Sequence, residues 1–68
     1  MRERGVIKKF VSERGFGFIG RPRCPDLFFH LSECETVPVE TIQPGVVVEF
    51  TVTEDRRGRL QAARVELV

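Results

Sequence analysis

Tryptophan and tyrosine are absent from this 68-residue chain, which has one histidine, one methionine and two cysteines. Each scarcity narrows what it can be. With a single histidine, no paired carboxylates at motif spacing and no nucleophile beside a base, the sequence offers no catalytic constellation. The expectation is a non-enzyme without cofactor or small-molecule substrate. Cys24 and Cys34 are too few for the stapled framework of a small secreted fold, so they read as reduced thiols in a cytoplasmic protein. They share one stretch with His30, but the short paired spacings of zinc motifs and a fourth ligand are missing, and no metal is expected. No apolar run approaches the roughly 20 residues of a membrane-spanning helix, and Met1-Arg2-Glu3-Arg4-Gly5 lacks the apolar region of a secretory signal. A soluble chain with no membrane partner is expected, and 68 residues suffice for one domain and not for a second core.

Charge is plentiful but unevenly placed. The net value of +1 divides into +5 over residues 1–23, −7 over residues 24–55, where Lys and Arg are missing altogether, and +3 over the last thirteen. Basic ends around an acidic middle can give a one-sided basic face, provided that blocks of sequence become blocks in space.

Five runs read as strands. Gly5–Val11 is rich in β-branched and aromatic residues and ends in the turn composition Ser12-Glu13-Arg14-Gly15. Phe16–Ile19 follows, and the cluster Gly20-Arg21-Pro22-Arg23-Cys24-Pro25-Asp26 separates it from Leu27–Leu31, because prolines and glycine disfavour a central strand. Residues 33–45 form a long loop with room for one helical turn. Val46–Thr53 is the clearest strand, and Glu54–Arg59 is a polar hairpin loop. In Leu60–Val68, Ala63, Val65 and Leu67 alternate with Arg64 and Glu66; a closing strand pairs more easily than a lone short helix would pack. Five short strands are too few for a sandwich, and closing into a small, partly open antiparallel barrel removes most exposed edges.

Five of the six phenylalanines fall between positions 10 and 29. Strand alternation puts Phe16 and Phe18 on one face, with Ile19 inward, and puts Leu27, Phe29 and Leu31 on the core side of the next strand. Phe28 and His30 then point outward. If the two strands pair with these faces matched, Phe16, Phe18, Phe28 and His30 form one exposed patch, rimmed by Lys8, Lys9, Arg14 and the arginines of the last hairpin loop, Arg56 and Arg57. Flat rings among cations suit unstacked bases and their phosphates, that is, single-stranded RNA or DNA. Phe10 is ambiguous, since a bulge in its strand would reverse its face.

GVIKKFVSERGFGFI together with DLFFHLS resembles the paired signature of the cold-shock domain family, and Arg57-Gly58 with Gln61-Ala62-Ala63 is similar to that family's last hairpin. The resemblance spans Gly5 to about Val65. It implies a five-stranded Greek-key OB-fold barrel that binds single-stranded nucleic acid with low sequence specificity, as an RNA chaperone or gene-expression regulator. By position it implies base stacking on Phe16, Phe18, Phe28 and His30, with Phe10 as a further platform member. It implies contacts to phosphate or base edges from Lys8, Arg14 at a place usually held by Lys, and Gln61 along the platform's edge. Lys9 and Val11 stand where the family usually has Trp and Asn, and Leu31 and Val39 where it usually has aromatics, so ring surface is lost and charge gained. A monomer is expected, with strand exchange into a dimer open to the long loops. The competing reading is an OB module whose acidic middle docks a basic protein; steep salt dependence distinguishes phosphate-led binding from it.

Overall fold

In the computed structural model, which describes residues 2–68, five strands close into a barrel: β1 Glu3–Val11, β2 Phe16–Arg21, β3 Cys24–His30, β4 Val47–Glu54 and β5 Leu60–Leu67. Met1 lies outside the described residues. Around the barrel the order is β1-β2-β3-β5-β4. The hairpins β1–β2, β2–β3 and β4–β5 and the β1–β4 seam are antiparallel, and one parallel bridge between Phe28 and Gln61 joins β3 to β5. The barrel is thus closed, not partly open. All the expected strands form, and the C-terminal segment is a strand.

Inward positions supply the core that alternation calls for. Ile7, Ile19, Leu27, Phe29, Val48, Phe50, Ala62 and Val65 are buried together, and Cys34, Val37 and Ile42 from the long loop cap them. That loop holds two single 3₁₀ turns, Leu31–Glu33 and Val39–Thr41. Leu31 starts the first of these instead of ending β3, yet it still packs against the core.

Three departures matter for the surface. First, the residues read as a breaker cluster largely join the strands: β2 runs to Arg21 and β3 starts at Cys24, leaving Pro22-Arg23 as a tight turn with Arg23 at φ 60°. Gly20 and Pro25 are accommodated because the β2–β3 register shifts between Ile19 and Arg21, so the ladder asks no amide hydrogen of Pro25. Second, β1 shifts register between Ile7 and Lys9. Beyond that bulge Lys9 lies opposite Phe18, Phe10 opposite Gly17 and Val11 opposite Phe16, so Phe10 turns to the inner side. Third, a shift in β4–β5 between Glu49 and Thr51 brings Ala62 and Val65, three positions apart, both into the core, and Leu67 is exposed, against the simple alternation expected of β5.

Gly17 shows why one position opposite an outer ring has no side chain. A β-carbon there would collide with the Lys9 carbonyl and come within 2.8 Å of the Phe29 ring. Bare backbone lets β1 and the core ring close on β2 at this point.

Candidate nucleic-acid interface

Strands β2 and β3 pair in the register Phe16 with His30 and Phe18 with Phe28, which brings the outward residues into one cluster. Phe16 and Phe28 stack with centroids 5.6 Å apart and planes 28° from parallel. Phe18 meets both edge-on, at 6.1 Å from each. All three rings are half-buried, packed on one another by one stacked and two edge-on contacts. Phe10 is not among them. Its ring stacks on the core ring of Phe29, 6.0 Å away and 11° from parallel, because the β1 bulge has turned it inward.

His30 is exposed, but its ring is held. Nδ1 accepts a hydrogen bond from the Ser32 backbone N–H at 3.1 Å and lies 2.9 Å from the Ser32 hydroxyl oxygen. An accepting Nδ1 leaves the hydrogen of the neutral imidazole on Nε2, the edge beside Gly15. Gly15 in turn accepts from the Leu31 amide at 2.7 Å, so the β1–β2 turn and the first 3₁₀ turn fix each other on either side of the histidine. Ser32 is a residue to which the sequence reading assigned no role at this surface. The signal was available in its place two residues after His30, within reach of a local side-chain to backbone bond.

Cations border the rings. The bulge presents both Lys8 and Lys9 outward: Lys9 lies opposite Phe18, and the stem of Lys8 crosses Gly20 so closely that a β-carbon there would strike it. Arg14 is exposed in the adjoining turn. Among the described residues none of these three makes an ion pair, and neither does Arg56 or Arg57.

Of the other basic residues in the N-terminal block, all but Arg23 are engaged within the described residues. Arg2 reaches Glu66 at 3.3 Å and Glu49 at 3.7 Å, Arg4 holds Glu49 at 3.0 Å, and Arg21 holds Glu3 at 3.2 Å. Blocks of charge in sequence therefore become blocks in space only in part. Pairing with Glu49 on β4, Glu66 on β5 and Glu3 on β1 neutralises one basic set and leaves Lys8, Lys9 and Arg14 unpaired.

The β4–β5 hairpin loop leans over the other side of the rings. Asp55 Oδ1 accepts from the backbone N–H groups of Arg57 at 2.8 Å and Arg59 at 2.9 Å, folding the loop around one carboxylate. These bonds, with the neighbouring guanidinium groups, hold the Asp55 carboxyl below its ordinary value of 3.8. Between loop and rings lies a cavity of about 270 Å³ lined by Phe18, Phe28, Asp55, Arg59, Leu60 and Gln61. Gln61 is thus at the rings' edge, bridged to Phe28, while Arg57 is exposed on the loop's outer side. Asp55, Arg59 and Leu60 were missed because nothing in composition says which way a hairpin loop folds. The Asp-x-x-Gly spacing of a side-chain-nucleated turn was the available cue.

The cysteines are distant from this surface in character. Cys24 is an exposed thiol in β3, and Cys34 is buried with its thiol pushed up to about 11 by burial and by the neighbouring Glu33. No helix among the described residues is long and apolar enough to cross a membrane.

Known proteins resemble this chain in sequence and fold. The family model described as the 'Cold-shock' DNA-binding domain matches residues 3–68. A cold shock-like protein of Thermotoga maritima is 42% identical over 65 residues, 96% of this chain and 97% of that protein. The cold shock protein CspC of Bacillus subtilis is 39% identical over 64 residues, 94% of this chain and 96% of that protein. Among solved structures, Drosophila Unr CSD456 superposes with a TM-score of 0.80 at 37% identity over the whole of this chain, which spans 27% of that longer one. A barrel of this topology and a family match over nearly every residue lead to one conclusion: the chain belongs to the cold-shock domain family, a family of nucleic-acid-binding, non-enzymatic OB-fold domains.

Proposed function

We propose that this chain binds single-stranded RNA or DNA on the outer face of β2 and β3, with little sequence preference at most positions, as a monomer in the cytoplasm. Bases stack on Phe16, Phe18, Phe28 and His30. Phosphates meet Lys8, Lys9, Arg14 and Arg57, and Gln61 lies along the edge. Phe10 serves from within, as the ring that backs Phe29 beneath Gly17. Such a protein suits an RNA chaperone that melts weak structure, or a regulator that holds single-stranded segments during gene expression.

The observation that carries this reading is the mutual packing of three outward phenylalanine rings, within about 6 Å of one another, beside lysines that no carboxylate engages. Half-exposed rings on a small domain give up favourable burial, and π-faces next to free cations are what unstacked bases and phosphates recognise. A duplex keeps its bases stacked and hidden, so the rings have a use only on single strands.

The test is fluorescence titration of labelled oligo-dT and oligo-U at low and at moderate salt, with a Phe16→Ala, Phe28→Ala variant alongside. Binding that weakens with salt and is lost in a variant that still melts cooperatively is the expected result. Absence of binding by the wild-type chain at low salt defeats the proposal and directs attention to protein partners.

A further inference from the structure

The cavity between the rings and the β4–β5 loop differs from the platform in chemistry. Phe18, Phe28 and Leu60 give it apolar walls, while Asp55, Arg59 and Gln61 put polar groups at its edge. A surface meant only for stacking has no need of an acceptor and donors converging at its margin, because stacking is indifferent to base identity.

The polar groups there have capacity left over. Asp55 uses Oδ1 for two backbone N–H groups, while its Oδ2 lies 3.7 Å from Arg59 Nε, beyond hydrogen-bond range. That oxygen keeps its acceptor sites. Arg59 makes no hydrogen bond from its guanidinium side chain and Gln61 none from its amide among the described residues. An ionised carboxylate oxygen and a guanidinium fork therefore stand side by side at the mouth of a hollow walled by two aromatic rings.

Resting on the single-strand binding proposed above, we propose that this hollow is a base-selective subsite for guanine. Guanine's edge runs acceptor, acceptor, donor, donor: N7, O6, N1–H and the N2 amino group. The Arg59 fork matches N7 and O6, the commonest specific contact an arginine makes to a base, and Asp55 beside it accepts from N1–H. Thymine and uracil present one donor between two acceptors, and adenine has no N1–H, so each leaves Asp55 or half of the Arg59 fork unmatched; cytosine's adjacent O2 and N3 and its N4 amino group can meet both residues, but its single ring covers less of the aromatic walls. Arg59 is exposed and Asp55 partly so, and the selectivity is that of base-edge pairing once a base covers them. Leu60, 53% exposed at the start of β5, becomes the apolar lid against which the base's far face lies.

The experiment compares heptamers of thymidine with the same heptamers carrying one central guanine, adenine or cytosine, titrated at low salt into the full chain. A single guanine can slide into register with the hollow, so the central position suffices. The guanine oligomer should bind at least about fivefold more tightly than the thymidine or adenine oligomer, the lower end of the discrimination given by one well-formed base-edge pair, and more tightly than the cytosine oligomer by a smaller margin. In Asp55→Asn, which keeps an oxygen to accept the two backbone N–H groups and replaces the free one with a donor, that preference should fall below about twofold while thymidine affinity stays. Arg59→Met should also remove it, and serves in its place if Asp55→Asn lowers the melting temperature. Equal binding of all four oligomers by the wild type overturns the subsite and leaves the platform standing. Guanine preference that survives both substitutions in folded protein overturns it too. Failure of every oligomer to bind overturns the platform, and the subsite with it.

Discussion

Two sides of this barrel carry basic residues in comparable numbers and use them differently. Around the β1–β4 seam, Arg2 and Arg4 converge on Glu49 of β4, while Arg2 also reaches Glu66 of β5 and Arg21 of β2 closes on Glu3 of β1. On the β2–β3 side, Lys9 lies opposite Phe18, the Lys8 stem crosses Gly20, Arg14 is exposed in the turn before Phe16, and among the described residues no carboxylate pairs with these three. The seam satisfies its charge internally and holds two strands together. The aromatic side leaves its charge and its π-faces for something outside. Net charge, at +1, conceals this division, since it averages a neutralised surface with an open one.

The largest break in this comparison comes from the rings. Removing Phe16 and Phe28 together takes away two stacking surfaces at about 1–3 kcal/mol each, so oligo-dT affinity should fall by at least about thirtyfold. The fold should survive, because both rings sit outside the core that Phe29 and Phe50 fill. A Phe29→Ala substitution one residue away is the counter-case: it empties a fully buried site at a cost of about 3–5 kcal/mol, comparable to the whole stability of so small a domain, and should unfold the chain. Thermal melts of both variants, set beside their titrations, separate a ring used for binding from a ring used for folding.

These neighbours also mark how much the sequence made legible. Alternation alone separated Phe28 from Phe29 and matched β2 to β3, and five strands with a closed hydrophobic set followed from the same pattern. What alternation cannot see is where it is interrupted. The extra residue in β1 at Lys8 reverses every position after it, which carries Phe10 inside and Lys9 out, and a similar shift in β5 brings Ala62 and Val65 to the same core. Such bulges arise from how a barrel curves as it closes, a property of the whole sheet. The parallel bridge of Phe28 to Gln61 is likewise a product of closure, and so is the hollow beside it.

The second break concerns the lysines. If Lys8 and Lys9 each meet a phosphate, Lys8→Gln with Lys9→Gln should weaken oligo-dT binding severalfold. It should also flatten the plot of log affinity against log salt by about 1.4, the share of two phosphate contacts on a single strand. Base preference should not change, because phosphates carry no sequence information. A slope unaltered by this double change would mean that the bulge points its lysines past the nucleic acid, leaving Arg14 and the hairpin arginines as the contacts.

The smallest effect, and the sharpest control, lies on the seam. Glu49 sits between Arg2 and Arg4, partly exposed, and surface pairs of this kind contribute about 0.2–1 kcal/mol each. Glu49→Gln should lower stability by about 1 kcal/mol, or about 4–8 °C in melting temperature for a domain of this size, with the difference shrinking as salt is raised. It also releases two arginines from their carboxylate without moving them near the rings. If charge on this domain acts by position, oligo-dT affinity and its salt slope should match the wild type. If charge acts only in sum, one added positive unit should strengthen binding wherever it appears. A Glu49→Gln variant that melts earlier and binds no better would show that the two sides differ in kind, the seam arginines serving closure alone.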